Sequence, residues 1–340
     1  MSMALSLIDQ YGRTATNLRV SLTDRCSLRC LYCMPSGDAN WLPRANLLTE
    51  DEFLRLINIA VHDLGVRDVR FTGGEPLMYK DATHLIAATN AMDNPPNTAL
   101  TTNALTLARH AAELRAAGLA RLNVSLDTLD PARYARITGA NRLDDVIAGL
   151  SAAKAVGFDP IKIDTVLLRG INDDEAVSLT RWAITHGYQL RFIEQMPLGP
   201  KDSWHRDEMV TADEILAMLA TEFDLTPEPA SQRGAAPAET WIVAGVDAPE
   251  GATATVGVIG SVTRPFCEAC NRTRLTADGH IRNCLFAETE TDIRTPLRAG
   301  ADDQALAQIW ADAMWSKLPG HKIDDDTFVQ PSRPMSAIGG

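Results

Sequence analysis

The six cysteines of this chain fall into two groups of three, and their spacing points to iron-sulfur chemistry. Cys26-Ser-Leu-Arg-Cys30-Leu-Tyr-Cys33 has the form C-x3-C-x2-C, so three thiolates can hold three corners of one cubane cluster and leave the fourth iron without a protein ligand. A cluster ligated by four cysteines mostly passes electrons, whereas an open iron can bind and activate a small molecule. The second group, Cys267, Cys270 and Cys284, is spaced C-x2-C-x13-C and again offers three thiols. Two plainer readings stand beside a pair of clusters. One is reduced, buried thiols. The other is zinc, which normally draws four ligands from paired C-x2-C halves; His280 would be the fourth ligand of a zinc set built on the second trio.

Elements must present these thiols. Leu18-Arg-Val-Ser-Leu reads as a strand that delivers the chain into the first cysteine loop. Thr49-Glu-Asp-Glu52 is a capping box, followed at helical spacing by Phe53, Leu56, Ile57, Ala60 and Leu64. The alternation then repeats, with strands at 69–71, 98–100, 122–124, 161–166 and 190–193 and helices near 82–92, 105–117, 143–156 and 174–186. Six βα-type units imply parallel strands with right-handed crossovers. Six is short of the eight that close a barrel. The expected fold is therefore α/β, an incomplete (β/α)6 TIM-type barrel with a C-terminal extension that carries the second cysteine group. Proline, alanine, serine and glycine dominate from Pro227 to Glu239, which reads as a flexible surface loop dividing residues 1–226 from 227–340. Beyond it come a β-rich stretch over 241–262, a helix from Asp302 to Lys317, and a polar tail ending in Gly339-Gly340.

Polar residues gather at the predicted strand ends, where barrel ligand sites lie. Thr72-Gly-Gly-Glu-Pro76 contains Gly73 and Gly74, whose bare backbone lets amides approach a charged ligand closely. Thr101-Thr-Asn103, Asn123-Val-Ser-Leu-Asp127 and Glu194-Gln-Met196 occupy three further ends. Arg19, Arg70 and Lys162 alternate with apolar residues inside strands, so their side chains are expected to point into the barrel, a placement that costs desolvation unless an anion compensates. Each also has an ordinary reading: a bare Gly-Gly turn, Ser125 as a helix cap, Met196 in the core, the cations solvated.

The bulk composition bounds the partners. The chain has 340 residues and a formal charge of −12, from 32 basic against 44 acidic residues, which argues against a nucleic-acid surface. An anionic substrate must then be held by a few local Arg and Lys side chains. Hydrophobic residues make up 45%, yet no run reaches the ~18 apolar residues of a membrane span and no charged-then-apolar leader opens the chain. A cytoplasmic protein with reduced cysteines is expected.

The first cysteine motif resembles the signature of radical S-adenosylmethionine (SAM) enzymes, in which SAM chelates the open iron and its reductive cleavage yields a 5′-deoxyadenosyl radical. The resemblance implies that Tyr32, Gly73, Gly74, Ser125 and Met196 contact SAM. The second motif, preceded by Pro265-Phe266 and enclosing Arg272-Thr-Arg274, resembles the C-terminal half of the GTP 3′,8-cyclases of molybdenum-cofactor biosynthesis, over essentially the whole chain. That likeness implies two 4Fe-4S clusters, the second binding the guanine of GTP, and GTP contacts from Arg19, Arg70, Thr101, Lys162, Arg272 and Arg274. It implies abstraction of the ribose 3′ hydrogen, attack of the 3′ carbon on guanine C8, and reduction to (8S)-3′,8-cyclo-7,8-dihydroguanosine 5′-triphosphate. It further implies that Gly339 and Gly340 reach into the catalytic cavity, that a flavodoxin- or ferredoxin-type protein donates electrons, and that the product passes to cyclic pyranopterin monophosphate synthase. No nucleic-acid or membrane partner is expected, and the protein would be a monomer or homodimer. Family members often carry Thr-Thr-Asn-Gly where this chain has Ala104, and alanine tolerates positive φ poorly. A radical SAM peptide maturase is the rival enzyme, although its auxiliary clusters usually need more cysteines; an electron carrier or zinc module is the non-enzyme rival, and six cysteines split three and three cannot supply four ligands twice.

Overall fold

The computed structural model describes residues 5–34, 41–201, 203–251, 253–325 and 328–339. Gly340, half of the expected C-terminal pair, lies outside them. The strands are β1 (Asn17–Ser21), β2 (Asp68–Thr72), β3 (Asn97–Thr102), β4 (Arg121–Ser125), β5 (Ile161–Val166), β6 (Gln189–Ile193), β7 (Asp224–Pro227), β8 (Glu239–Ala244), β9 (Thr255–Ile259), β10 (Arg272–Leu275), β11 (His280–Arg282) and β12 (Thr291–Asp292). The helices are α1 (Glu50–Asn58), α2 (Ala82–Asn90), α3 (Leu107–Ala116), α4 (Pro131–Thr138), α5 (Leu143–Ala155), α6 (Ala176–Thr185), α7 (Ala212–Leu219), α8 (Ala230–Arg233), α9 (Arg294–Arg298), α10 (Asp303–Trp315) and α11 (Met335–Ile338). One sheet takes all twelve described strands in the order β12-β11-β10-β1-β2-β3-β4-β5-β6-β9-β8-β7.

The six predicted strands form its centre, parallel and in sequence order, as an incomplete α/β barrel requires. Period-two alternation sorts their side chains. In β5, Ile161, Ile163 and Thr165 are buried while Lys162 and Asp164 lie on the other face; in β1 and β2, Leu18, Val20, Val69 and Phe71 enter the core while Arg19 and Arg70 do not. The sheet curls enough for the cations of β1 and β6, Arg19 and Arg191, to repel one another.

The C-terminal strands continue this sheet at both edges. β10 pairs parallel with β1, and β9 pairs parallel with β6. The junction drawn between residues 226 and 227 falls within β7, whose antiparallel partner β8 begins at Glu239. The connection between them contains α8 and is held by Arg233, which donates to the carbonyls of Ala236 and Pro237 and to Glu239. It is a built turn of one sheet. α10 fastens β10 from outside: Trp310, fully buried, donates from Nε1 to Thr273 Oγ1 at 3.0 Å.

Local signals account for the first cysteine loop's setting. The capping box forms, with Thr49 N–H on Glu52 Oε2 at 2.8 Å and Glu52 N–H on Thr49 Oγ1 at 3.3 Å. α4, outside the predicted set, starts at an Asp130 cap with Pro131 in the first turn and stops at Gly139, φ +74°. Its last carbonyls, Ile137 and Thr138, accept from Leu31 and Arg29 of the cysteine loop. Ala104 does take the left-handed conformation, φ +62°, at a cost of about 1–2 kcal/mol. Its carbonyl lies where a side chain on Gly149 of α5 would clash, 2.8 Å from an ideal Cβ, so the small residue sits in the partner helix.

Candidate active site

The first trio is assembled. Burial pushes the Cys33 thiol up to about 12, with repulsion from Cys26 adding to it, and burial with Asp127 and the two other cysteines raises Cys30. Thiols that disfavour one another's charge need a cation to become ligands. The loop rests on the Gly-Gly turn. Gly74 N–H donates to Thr23 O at 2.7 Å, Glu75 N–H to Arg25 O at 2.7 Å, and a Cβ on Gly74 would stand 2.3 Å from that same carbonyl. Gly73 and Gly74 therefore have a packing reason to be glycine beside any ligand. Asn103 reaches Cys26 Sγ at 3.7 Å from the end of β3. Tyr32 donates to buried Asp127 Oδ2 at 2.8 Å; burial lifts that carboxyl to about 6, and Glu75 to about 6 as well. Ser125 stands beside Asp164 in register at the end of β4. Met196 is half-buried against Met209, Val262 and Ile323.

The second trio is assembled too, for Cys284 and Cys270 both raise Cys267, which burial takes to about 11. Cys270 differs. Burial would raise it, but Lys317 and Arg272 prevail and hold it down at about 7. Lys317 Nζ lies 3.3 Å from Cys270 Sγ and Arg272 Nη1 3.6 Å from it. His280 Nδ1 faces Asp278 at 3.3 Å, and that contact raises its pKa. Among the described residues no three His, Cys, Asp or Glu converge on one metal ion. Two sets of three neighbouring thiols, each set without a fourth cysteine, fit cubanes with one open corner.

A cluster of buried cations lies on the sheet beside the two trios. In register across the sheet, Arg274 of β10 neighbours Arg19 of β1, which neighbours Arg70 of β2. Arg70 donates to Thr101 Oγ1 at 3.3 Å, and Lys162 aligns with Asn123. Burial lowers Arg70 and Arg274 to about 10 and Lys162 to about 8, with Arg191 among the repelling neighbours of Arg70 and Lys162. Arg19 is lowered as well, through burial and then Arg274, Arg70 and Arg272. Asp164 accepts from Arg191 Nε at 2.7 Å and offsets only part of the repulsion on Arg70 and Lys162. The Nε atoms of Arg19 and Arg274 are buried without a protein partner. Such a surplus is costly without a polyanion.

The described tail ends beside β1 and β2. Gly339, φ +75°, lies against the C-terminal ends of β1 and β2, where a Cβ would stand 2.7 Å from Thr72 Oγ1 and 3.0 Å from Ser21 Cβ. The backbone of Ser336 hydrogen-bonds Cys33.

Comparison with known sequences agrees with this arrangement. The profile described as Radical SAM superfamily matches residues 20–183, and that described as Molybdenum Cofactor Synthesis C matches 188–323. The GTP 3′,8-cyclase of Streptomyces coelicolor is 55% identical over 98% of this chain and 96% of its own length. The chain belongs to the GTP 3′,8-cyclase family. The cyclase of Mycolicibacterium smegmatis is 56% identical over 98% of this chain and 92% of its own, and that of Corynebacterium glutamicum 54% over 98% and 89%. SuiB of Streptococcus suis shares the fold: bound to S-adenosylmethionine it gives a TM-score of 0.57 at 18% identity over 88% of this chain and 68% of that one.

For this cyclase-family chain, sequence reasoning missed Arg191, Asp164 and Lys317. The first two follow the alternation that exposed Lys162, since Gln189, Arg191 and Ile193 share one face of β6 and Lys162 and Asp164 one face of β5. Gly257, opposite Arg191 on β9, leaves the room its side chain needs, a Cβ there standing 2.9 Å from Arg191 Cγ. Lys317 carries no local signal, since only the docking of α10 on β10 brings it to Cys270.

Proposed function

We propose that this chain is a radical SAM GTP 3′,8-cyclase that converts GTP and SAM to (8S)-3′,8-cyclo-7,8-dihydroguanosine 5′-triphosphate, 5′-deoxyadenosine and methionine, the first step of molybdenum-cofactor biosynthesis. The observation that carries the reading is the cluster of buried cations beside two cysteine trios on one sheet. Cys26, Cys30 and Cys33 would hold the 4Fe-4S cluster that, with SAM bound, would supply the deoxyadenosyl radical. Cys267, Cys270 and Cys284 would hold the second cluster, beside which Arg272 is already hydrogen-bonded to Cys270. Arg19, Arg70, Lys162 and Arg274 neutralise the triphosphate, which brings about four negative charges, through charge-assisted bonds. Gly73, Gly74, Tyr32, Ser125 and Met196 would border the SAM side, and the Gly339-Gly340 pair would take part in cyclisation. Residues 1–226 thus supply the radical, and 227–340 the substrate-side cluster and tail. A flavodoxin- or ferredoxin-type donor, delivery of product to cyclic pyranopterin monophosphate synthase and a cytoplasmic site complete the proposal; no described helix is long and apolar enough to cross a membrane.

The test is anaerobic turnover of reconstituted protein with GTP, SAM and dithionite. Deoxyadenosine and a cyclised nucleotide should appear together. SAM cleavage with GTP recovered intact would overturn the assignment.

A further inference from the structure

The C-terminal segment is held from two sides. On the barrel side, Met335 N–H donates to Leu198 O at 2.9 Å and Gln330 Nε2 to Gly199 O at 3.0 Å, beside the Ser336 contact to Cys33. On the other side stands Arg333, whose guanidinium forks between two carboxylates: Nη1 to Glu290 Oε2 at 2.7 Å and Nη2 to Asp278 Oδ1 at 2.9 Å. Burial opposes its charge, but the two carboxylates prevail and hold its pKa above the ordinary arginine range. Glu290 has a second cation, Arg282, which also donates to Leu285 O and Ala287 O at 3.2 and 2.5 Å and so braces the turn that follows Cys284. One carboxylate therefore fastens both the Cys284 loop and the tail.

We propose that Arg333 is a positioning residue that seats Gly339 over β1 and β2, and that Glu290 ties this seat to the Cys284 loop. Backbone bonds alone would leave a chain end free to fray, and a fork to two part-buried carboxylates fixes direction as well as distance. This rests on the reading that the tail takes part in cyclisation.

The experiment uses full-length, cluster-loaded protein carrying Arg333→Gln, Arg333→Lys, or deletion of Gly339 and Gly340, followed by amide hydrogen exchange at 335–339, GTP kinetics and iron content. Arg333→Gln should speed exchange at 335–339, keep iron and the KM for GTP, and lower kcat by at least about tenfold, the scale of one charged hydrogen bond. Arg333→Lys, a point charge that cannot fork, should fall between. Unchanged exchange in Arg333→Gln overturns the proposal, as does faster exchange with kcat intact. A deletion variant that turns over at the full rate sinks the catalytic reading of the tail instead, and leaves the exchange result to judge the seat. If Arg333→Gln loses iron, Asp278→Asn removes one tine while sparing Glu290 and Arg282, and must show the same faster exchange or the proposal fails.

Discussion

Replacing Arg19 by Met should stabilise the GTP-free protein and weaken GTP binding in the same step. Arg19 has four cationic neighbours, Arg274, Arg70, Arg272 and Arg191, and an Nε buried without a partner. Its charge is therefore disfavoured in the folded state, whereas the unfolded chain solvates it fully. Exchange of poorly compensated buried charge for a hydrophobe of similar length stabilises by about 1–4 kcal/mol. A chain of 340 residues at roughly 2.1 cal/mol/K per residue unfolds with an entropy of about 0.7 kcal/mol/K, so Tm should rise by about 1.5–6 °C. The bound triphosphate meanwhile loses a charged donor worth about 1.5–3 kcal/mol, roughly a 10- to 150-fold higher Kd. Scanning calorimetry of cluster-loaded protein without nucleotide, and anaerobic calorimetric titration with GTP, read the two effects separately. A lower Tm with unchanged GTP affinity would refute the reasoning, because Arg19 would then be a structural hydrogen bonder and not half of an unfilled ion pair.

Three further outcomes are expected. Anaerobically prepared protein should hold about eight irons per chain, falling to about four when either trio, Cys26, Cys30 and Cys33 or Cys267, Cys270 and Cys284, is replaced by Ala; zinc in the second site with full activity would end the two-cluster assignment. Arg272→Ala and Arg274→Ala should each weaken GTP binding by about 1.5–3 kcal/mol and leave SAM binding nearly intact, whereas an equal loss for SAM would indicate general damage. Burial, Arg191 and Arg70 bring Lys162 down to about 8 in the free protein, so it is cationic at pH 7 and loses its proton as pH rises through 8. GTP affinity should then fall between pH 8 and 9 by up to tenfold per pH unit, and Lys162→Arg, which stays charged, should flatten that profile; an identical slope in both proteins would remove Lys162 from the site.

The chain's local order was legible in sequence because it is written in short-range periods. Six strands with their helices, the capping box at Thr49 and the inward face of Arg19, Arg70 and Lys162 all follow from alternation of two or of 3.6 residues. Ligand chemistry was legible for the same reason, since each trio keeps two of its cysteines within a few residues of each other. Tertiary structure decided what depends on distant partners. Pairing of β1 with β10 joins residues about 255 apart and puts Arg274 beside Arg19; no local pattern encodes that. The run from Pro227 to Glu239, loop-like by composition, is ordered by hydrogen bonds to Arg233, and its Ala235 carbonyl accepts from Arg272. Lys317 becomes a neighbour of Cys270 only when α10 docks through Trp310. The tail shows the division most plainly: glycine at 339 is readable as freedom of the backbone, but its place against Ser21 and Thr72 exists only because barrel and C-terminal hairpin hold the segment between them.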